Sequence, residues 1–429
     1  MKIVIPSIGE FLVDLIEYSF ALLIILSTRS VYANARDIDL MIPELCFAFC
    51  IILFLVKIMQ NGGLVILDNY RAKLMFEFLM LSIIYAIGGV SSKMLFAYFG
   101  RFFIGVPIMS LLFYIYAIEG DVFRLLRKLV NIMCLLSFIS CFFWIFGSVL
   151  HVIEPTGVFY TSWATNQSQT SYYGIYFEQQ KEHFFGYSGF RNDGIFVEAP
   201  MHALCLLICI SICLFLLKYD VHSHEINLKR KLIILSVTMV TTFSSTGIIL
   251  LIGSIIMYIL INIPKESRSF LTYVVFFGSF LITLAVVAVI IFNTKNTNTV
   301  SWVSRLDGYR AGFYAFRDSP IFGTGFRDSS DVTERYLVLR TGFLNAVASV
   351  LAQGGILLSL MYWFPMIRGL GKSLIHKETN ISCLAIIVIA SFMLFTWEYT
   401  FLMLILLAFF LSYVPSNEGF QFENVETEV

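Results

Sequence analysis

The chain has 429 residues, 58% of them hydrophobic and 14% charged, with a mean hydropathy of +0.83. Soluble domains carry roughly 25% charged residues, so a water-soluble enzyme of this length is excluded, and 43 Phe and 21 Tyr exclude a disordered chain. Twenty-nine basic residues against 29 acidic ones give no net charge, which argues against a nucleic-acid partner. What remains is an all-α polytopic integral membrane protein, because about 12 spans of ~20 residues would absorb most of the apolar content.

In chain order, apolar windows predict spans at 9–28, 40–59, 74–92, 95–118, 129–150, 200–218, 231–246, 247–263, 270–292, 343–367, 381–397 and 398–414. The first has no small-residue cleavage site after it and reads as a retained span. The seventh and eighth are parted only by Ser244-Ser245-Thr246-Gly247, and the last two meet at Trp397-Glu398, read as a hairpin tip at the membrane interface. The count is therefore 12, with one either way. Trp163, Trp302 and Trp397 fall near span ends and read as interface anchors. All eight cysteines lie in apolar stretches, so neither a disulfide framework nor a zinc spacing is present. Cys205, Cys209 and Cys213 share one helix face and read as a packing surface.

Basic residues sort the connections into two sets. Lys57, Arg71 and Lys73, then Arg124, Arg127 and Lys128, then Lys218, Lys229, Arg230 and Lys231 fall on one side. Lys265 and Arg268, then Arg368, Lys372 and Lys377 continue it. By the positive-inside rule this side is cytoplasmic, with both termini. The chain is then a single transmembrane domain, 1–429, with two large periplasmic loops, 151–199 and 293–342. Asp14, Glu17, Glu44, Glu77 and Arg101 lie within spans and are too costly to face lipid. Structural pairing, for example Glu77 with Arg101, is the simplest reading.

Loops of 40–50 residues usually carry function. The first is acidic and rich in Tyr, Gln and Ser, as in Asn166-Gln167-Ser168-Gln169 and Ser171-Tyr172-Tyr173, a mixture suited to sugar hydroxyls. The second is basic, with Lys295, Arg305, Arg310, Arg317, Arg327, Arg335 and Arg340. Arginine on the outer face runs against the usual bias, and an anion such as phosphate is its natural partner. Pairs such as Arg317-Asp318 and Arg327-Asp328 offer the plainer reading of a solvated surface.

Two segments stand out. One is Arg191-Asn192-Asp193-Gly194-Ile195-Phe196-Val197-Glu198-Ala199-Pro200, which leads into the sixth span. The other runs from Arg305-Leu306-Asp307-Gly308-Tyr309-Arg310 to Ser319-Pro320-Ile321-Phe322-Gly323-Thr324-Gly325. Together they resemble the bacterial O-antigen polymerase and ligase superfamily, integral membrane glycosyltransferases acting on undecaprenyl-diphosphate-linked sugars. Tyr309 stands where that family more often has Trp, and Ser245-Thr246-Gly247 resembles another family element. Leu344-Asn345 keeps the asparagine of a His-Asn element but not its histidine, which is typical of ligases, so the polymerase branch is favoured. The motif-bearing resemblance covers roughly 185–360.

The resemblance implies a GT-C-like, lipid-linked glycosyltransferase in the bacterial inner membrane. Its partners would be an undecaprenyl-diphosphate-linked oligosaccharide, membrane lipids, and a chain-length regulator and flippase. Arg191 and Arg305 are the candidates for clamping the departing diphosphate, with Arg310 a weaker third, since a fixed guanidinium stabilises charge that grows in the transition state. Asp193, Glu198 and Asp307 are candidate proton acceptors, although carboxylates so near an arginine are commonly its ion-pair partners. His202 reads as a hydrogen-bonded interface residue. Tyr309, Gly194, Gly323, Gly325 and Asn345 complete the candidate substrate-binding set. No metal or other cofactor is expected: neither outer loop has an Asp-x-Asp pair, and arginines can serve in a cation's place. The alternatives are a ligase moving finished glycan to lipid A core, or a flippase for the same lipid-linked repeat.

Overall fold

A computed structural model describes residues 8–35, 41–62, 67–161, 168–184, 187–220, 222–263, 300–328, 330–339 and 342–414. It is mostly helical. Helices α1 (Ile8–Ser27), the short α2 (Val31–Asn34), α3 (Ile42–Gln60) and α4 (Asn69–Gly89) are followed by α5 (Leu95–Tyr98). That helix passes through a π-helical turn, Phe99–Phe103, into α6 (Gly105–Ile118), and α7 (Arg124–Phe143) ends in a second π turn, Trp144–Val149. After a stranded segment come α8 (Ala199–Phe215), α9 (Glu225–Thr241) and α10 (Ser245–Ile261). The rest comprises α11 (Val300–Asp318), α12 (Ser330–Arg335), α13 (Ala346–Ile375), α14 (Thr379–Leu394) and α15 (Phe401–Ser412).

Each expected span coincides with a helix except 270–292, which lies outside the described residues, as do Trp163, Lys295 and Arg340. Among the described residues, six stretches are long and apolar enough to cross a membrane: Ile42–Gln60, Asn69–Gly89, Ser92–Ile118, Arg124–Val149, Ala199–Tyr219 and Ala346–Ile375. Helix α8 is the centre of the bundle. Its side chains from Met201 to Phe215 are all buried, the Cys205, Cys209 and Cys213 face included. Helix α15 is similarly enclosed, whereas Met59, Phe76, Ile87 and Phe138 point outward, as lipid-facing side chains do.

Residues 157–190 are not helical. Three antiparallel strands, β1 (Gly157–Tyr160), β2 (Ser168–Tyr172) and β3 (Tyr176–Glu178), and a hairpin of β4 (Lys181–Phe184) and β5 (Tyr187–Phe190) form two small sheets. The tyrosines here build a core. Tyr172 and Tyr176 are buried against Phe143, and the Ser148 and Tyr176 hydroxyls share a hydrogen bond of 2.9 Å. Gln169 is also buried and donates to the Val197 carbonyl at 3.1 Å. The expectation of an open, sugar-facing Tyr/Gln/Ser surface therefore fails at these positions, because small sheets need their own apolar face covered; Tyr173 alone of that Tyr pair is exposed.

Two further expectations change. Trp397 is wholly buried, and Glu398 nearly so, so their turn is packed inside the protein and Trp397 is not an interface anchor. Glu77 does not pair with Arg101. It lies 3.8 Å from Lys73, one helical turn away, while the π turn rotates Arg101 toward the 395–400 connection. That connection meets the ends of α1 and α4, the segment 191–198 and the turn at 319–326 at one end of the bundle. The contacts are Val31 N–H to Ile195 O (2.9 Å), Phe326 N–H to Gly89 O (2.8 Å) and Ala346 N–H to Phe395 O (2.8 Å).

Candidate active site

The site forms where these segments meet. Its first fixed element is the turn between α9 and α10. The Arg191 Nε donates to the Thr242 carbonyl at 2.9 Å, and the Arg305 guanidinium donates to the Thr246 hydroxyl at 3.3 Å. Two motif arginines 114 positions apart in the chain are thus brought onto one short turn, capped by the Ser244 hydroxyl on Gly247 N–H. Asn192 fastens the first motif to the same turn, through its N–H to Thr241 O (3.1 Å) and its side-chain amide to the Thr241 hydroxyl (2.9 Å).

Beneath lies His202, its Nδ1 3.0 Å from the Asn192 carbonyl and its ring stacked on Phe196, the supporting role read from sequence. Gly194 has φ +60, and a Cβ there would sit 3.0 Å from the His202 ring. A larger residue would lift the arginine motif off its support.

The carboxylates divide. Asp193 is fully buried and accepts the Gln179 N–H at 3.1 Å, with burial pushing its carboxyl up to about 7 against the opposing pull of Arg191. It pins β3 to the motif. Glu198 is half-buried at the start of α8 and lies within electrostatic reach of Arg305, Arg29 and Asp193. Asp307 accepts the Leu339 N–H at 3.0 Å. The reason is helical phase: the Arg305 motif belongs to α11, so residues two apart point to opposite sides, while Tyr309, four on, shares the Arg305 face. Tyr309 donates to Met393 O at 2.7 Å, and Arg310 faces outward over the Tyr314 ring at 5.6 Å. Arg191 and Arg305 are anchored on one turn, with Glu198 in electrostatic reach of Arg305; Asp307 and Arg310 point elsewhere.

The Gly323/Gly325 turn meets an interruption of α13. Gly355 has φ +55 and ψ −150, which breaks the helix and frees carbonyls one turn back. Thr324 N–H binds Ala352 O and Gly325 N–H binds Gln353 O, both at 2.9 Å, while Ile356 N–H binds Pro320 O at 2.8 Å. A Cβ on Gly323 would lie 2.5 Å from the Gln353 carbonyl carbon, and one on Gly355 2.6 Å from Pro320 O. The two glycine motifs are one interlocked unit. Asn345 caps α13 by accepting Ala348 N–H at 2.8 Å.

Several residues here escaped the sequence reading. Arg29 donates to the Thr396 hydroxyl at 2.8 Å and senses Glu398, Glu198 and Arg327. Arg101, 7% exposed, donates to Tyr399 O at 3.1 Å and Ala97 O at 3.0 Å. Arg327 lies over the Tyr399 ring at 6.0 Å and does not pair with Asp328, whose carboxylate takes the Ser330 hydroxyl and N–H instead. Glu398 is buried and lies within electrostatic reach of Arg29. Their sequence signals were separate: charge inside a span for Arg101, in the basic loop for Arg327, and at span ends for Arg29 and Glu398. Among the described residues, Arg305 Nε, Asn345 Nδ2, Ser245 Oγ, Ser304 Oγ and Glu398 Oε2 are buried and make no hydrogen bond within the protein. Buried polar atoms of this kind are rare and commonly serve a ligand.

At the other end of the bundle, ligand atoms of Asp121, Asp220 and His222 lie within 4.8 Å of one another. Arg127 bridges both carboxylates and so supplies the positive charge a metal would bring.

Fold and site define a mostly helical, multi-pass membrane protein with a cluster of arginines at one end. Residues 232–363, less than a third of the chain, match the family model described as O-antigen ligase. The match is consistent with a member of the O-antigen ligase/polymerase superfamily. That family covers ligases and polymerases, membrane glycosyltransferase-like enzymes acting on lipid-linked glycans. The matched segment includes Arg305, Tyr309, Gly323, Gly325 and Asn345 but not Arg191–Glu198. No curated protein matches the chain.

Proposed function

We propose that this chain is the polymerase of an O-antigen or similar surface polysaccharide. It acts in the bacterial inner membrane with both termini cytoplasmic, the loops 151–199 and 293–342 on the periplasmic side, and a flippase and chain-length regulator as its working partners. The growing glycan leaves undecaprenyl diphosphate and joins a hydroxyl of a new lipid-linked repeat. The anomeric carbon–oxygen bond to the diphosphate breaks, a glycosidic bond forms, and the acceptor hydroxyl gives up its proton.

The convergence of Arg191 and Arg305 on the Thr242–Thr246 turn carries this reading. Two guanidiniums so placed stabilise the negative charge growing on the departing diphosphate without needing a metal. Glu198, half-buried beside Arg305, is the proton acceptor in reach, and Asp193 is the scaffold beneath it. The place of Leu344 favours a polymerase over a ligase. The arginines sit at the bundle end rather than at mid-membrane, which favours an enzyme over a transporter.

The test is the lipopolysaccharide ladder of a deletion strain complemented with Arg305→Ala. The deletion should leave single repeats on lipid A core, and the variant, inserted at normal level, should fail to restore long chains. Core without any repeat in the deletion would assign a ligase, and full-length chains from Arg305→Ala would remove the clamp.

A further inference from the structure

We propose that Arg101 and Arg327, meeting on Tyr399 with Arg29 beside them, form a second phosphate subsite that takes the diphosphate of a second lipid-linked glycan. The inference rests on the transfer reaction proposed above, which joins two such molecules and must hold both diphosphates.

Arg101 is the starting point. An arginine inside a membrane-spanning helix is costly, and the usual remedy is a carboxylate on a neighbouring helix. Arg101 has none within ion-pair distance among the described residues. Its Nε and Nη1 meet the carbonyls of Tyr399 and Ala97, and its guanidinium lies 5.8 Å from the Phe401 ring. The π turn that carries it turns the side chain toward the 395–400 connection, and such turns are frequent at functional sites.

Arg327 reaches the same tyrosine from the other side. Its backbone is left-handed, φ 59, an uncommon conformation for a residue other than glycine. The strain is held by Phe326, which is buried against Tyr98, Phe102 and Tyr399 and donates its N–H to Gly89 O. Tyr399 is itself fixed, its hydroxyl donating to Gln353 Oε1 at 2.6 Å. Strain and packing thus bring two like charges to one residue, Arg101 to the Tyr399 carbonyl and Arg327 to its ring. Repulsion between guanidiniums is relieved by a polyvalent anion, and phosphate oxygens match their forked donors.

The subsite is separate from the motif arginines. The charges felt by Arg305 are those of Tyr309 and Glu198, whereas those felt by Arg101 include Arg327 and Glu44. Arg29, held on the Thr396 hydroxyl, senses Glu198 and Glu398 as well as Arg327. Two arginine groups, one anchored at Thr246 and one at Tyr399, suit a transfer in which two diphosphates are held apart while their sugars react.

The test uses the full chain in nanodiscs of zwitterionic lipid, titrated calorimetrically with farnesyl diphosphate. Wild type should bind two molecules per chain, Arg305→Ala one, and Arg101→Gln and Arg327→Asn one each. A residual second site in either variant should be weaker by roughly tenfold or more. Arg327 is exposed and Asn tolerates left-handed backbone, so Arg327→Asn tests the subsite even where Arg101→Gln fails to fold. Two undiminished sites in Arg327→Asn would overturn the subsite. One wild-type site, lost in Arg305→Ala, would also overturn it while leaving the transfer reading intact. No wild-type binding at all would remove both. Displacement from the second site by phosphatidylglycerol in the nanodisc would overturn it in favour of a lipid headgroup.

Discussion

The two ends of the bundle treat buried charge in opposite ways. At one end Glu17, without exposed surface, accepts Arg124 Nε at 2.8 Å and the Tyr116 hydroxyl at 3.0 Å, with Lys57 and Lys128 at 3.8 and 3.7 Å. Lys57 also reaches Glu119 at 2.8 Å, and Asp14 holds Arg124 and Lys128 at 2.9 and 2.7 Å. Each cation of this cluster, Lys57, Arg124 and Lys128, is matched by a carboxylate. At the other end, Arg101, Arg305 and Arg327 meet carbonyls, a hydroxyl and aromatic rings, and none has a carboxylate within 4.0 Å among the described residues. A closed network satisfies its own charges and can only support the fold. An open one retains positive potential for an anion from outside.

This contrast can be broken most sharply at Glu198. Glu198→Gln removes the proton acceptor while keeping a side chain of the same size, so turnover on lipid-linked repeats should fall by roughly a hundredfold or more. The melting temperature in detergent should stay near wild type. Turnover within a few-fold of wild type would strip Glu198 of its role. Glu17→Gln should show the reverse pattern. Loss of one member of a buried ion network costs about 3–5 kcal/mol, so the melting temperature should drop clearly while turnover per folded molecule is kept. A catalytic defect in Glu17→Gln, at equal folded protein, would mean that the two ends are coupled.

How far the sequence reveals this contrast depends on the range of the interactions involved. Spans are legible because hydropathy is summed over about 20 neighbouring residues, which is why each expected span within the described residues falls on a helix. Helix α11 escaped because its 19 residues are as polar as they are apolar, so no hydropathy window marks them. Within it, the four-residue step from Arg305 to Tyr309 was visible but its helical meaning was not, and Asp307 was grouped with an arginine it faces away from. Arg191 and Arg305 were found through motif resemblance. Arg29, Arg101, Arg327 and Glu398 meet only because four distant segments pack at one end, and single-sequence patterns carry no record of such contacts. The Gly323/Gly325 turn is visible in the sequence, but not its interlock with α13, which depends on carbonyls freed by the helix break at Gly355.

The smallest expected effect concerns Asp193, which separates scaffold from chemistry within the site. Burial raises its carboxyl in the folded protein to about 7 from the ordinary 3.8. Between those values the folded state holds a proton that the unfolded state releases. Its contribution to stability is therefore full below about 4 and is lost as pH rises through about 7. Asp193→Asn keeps an oxygen for the Gln179 N–H and removes the titration. Melting temperatures measured from pH 4 to 8 should fall for wild type relative to this variant between about pH 4 and 7 and then level off. Turnover at pH 6 should change little, because the neutral side chain already supports β3. Parallel melting curves would show that Asp193 is ionised throughout that range. A loss of turnover as large as that of Glu198→Gln, without a change in melting, would move the proton acceptor to Asp193.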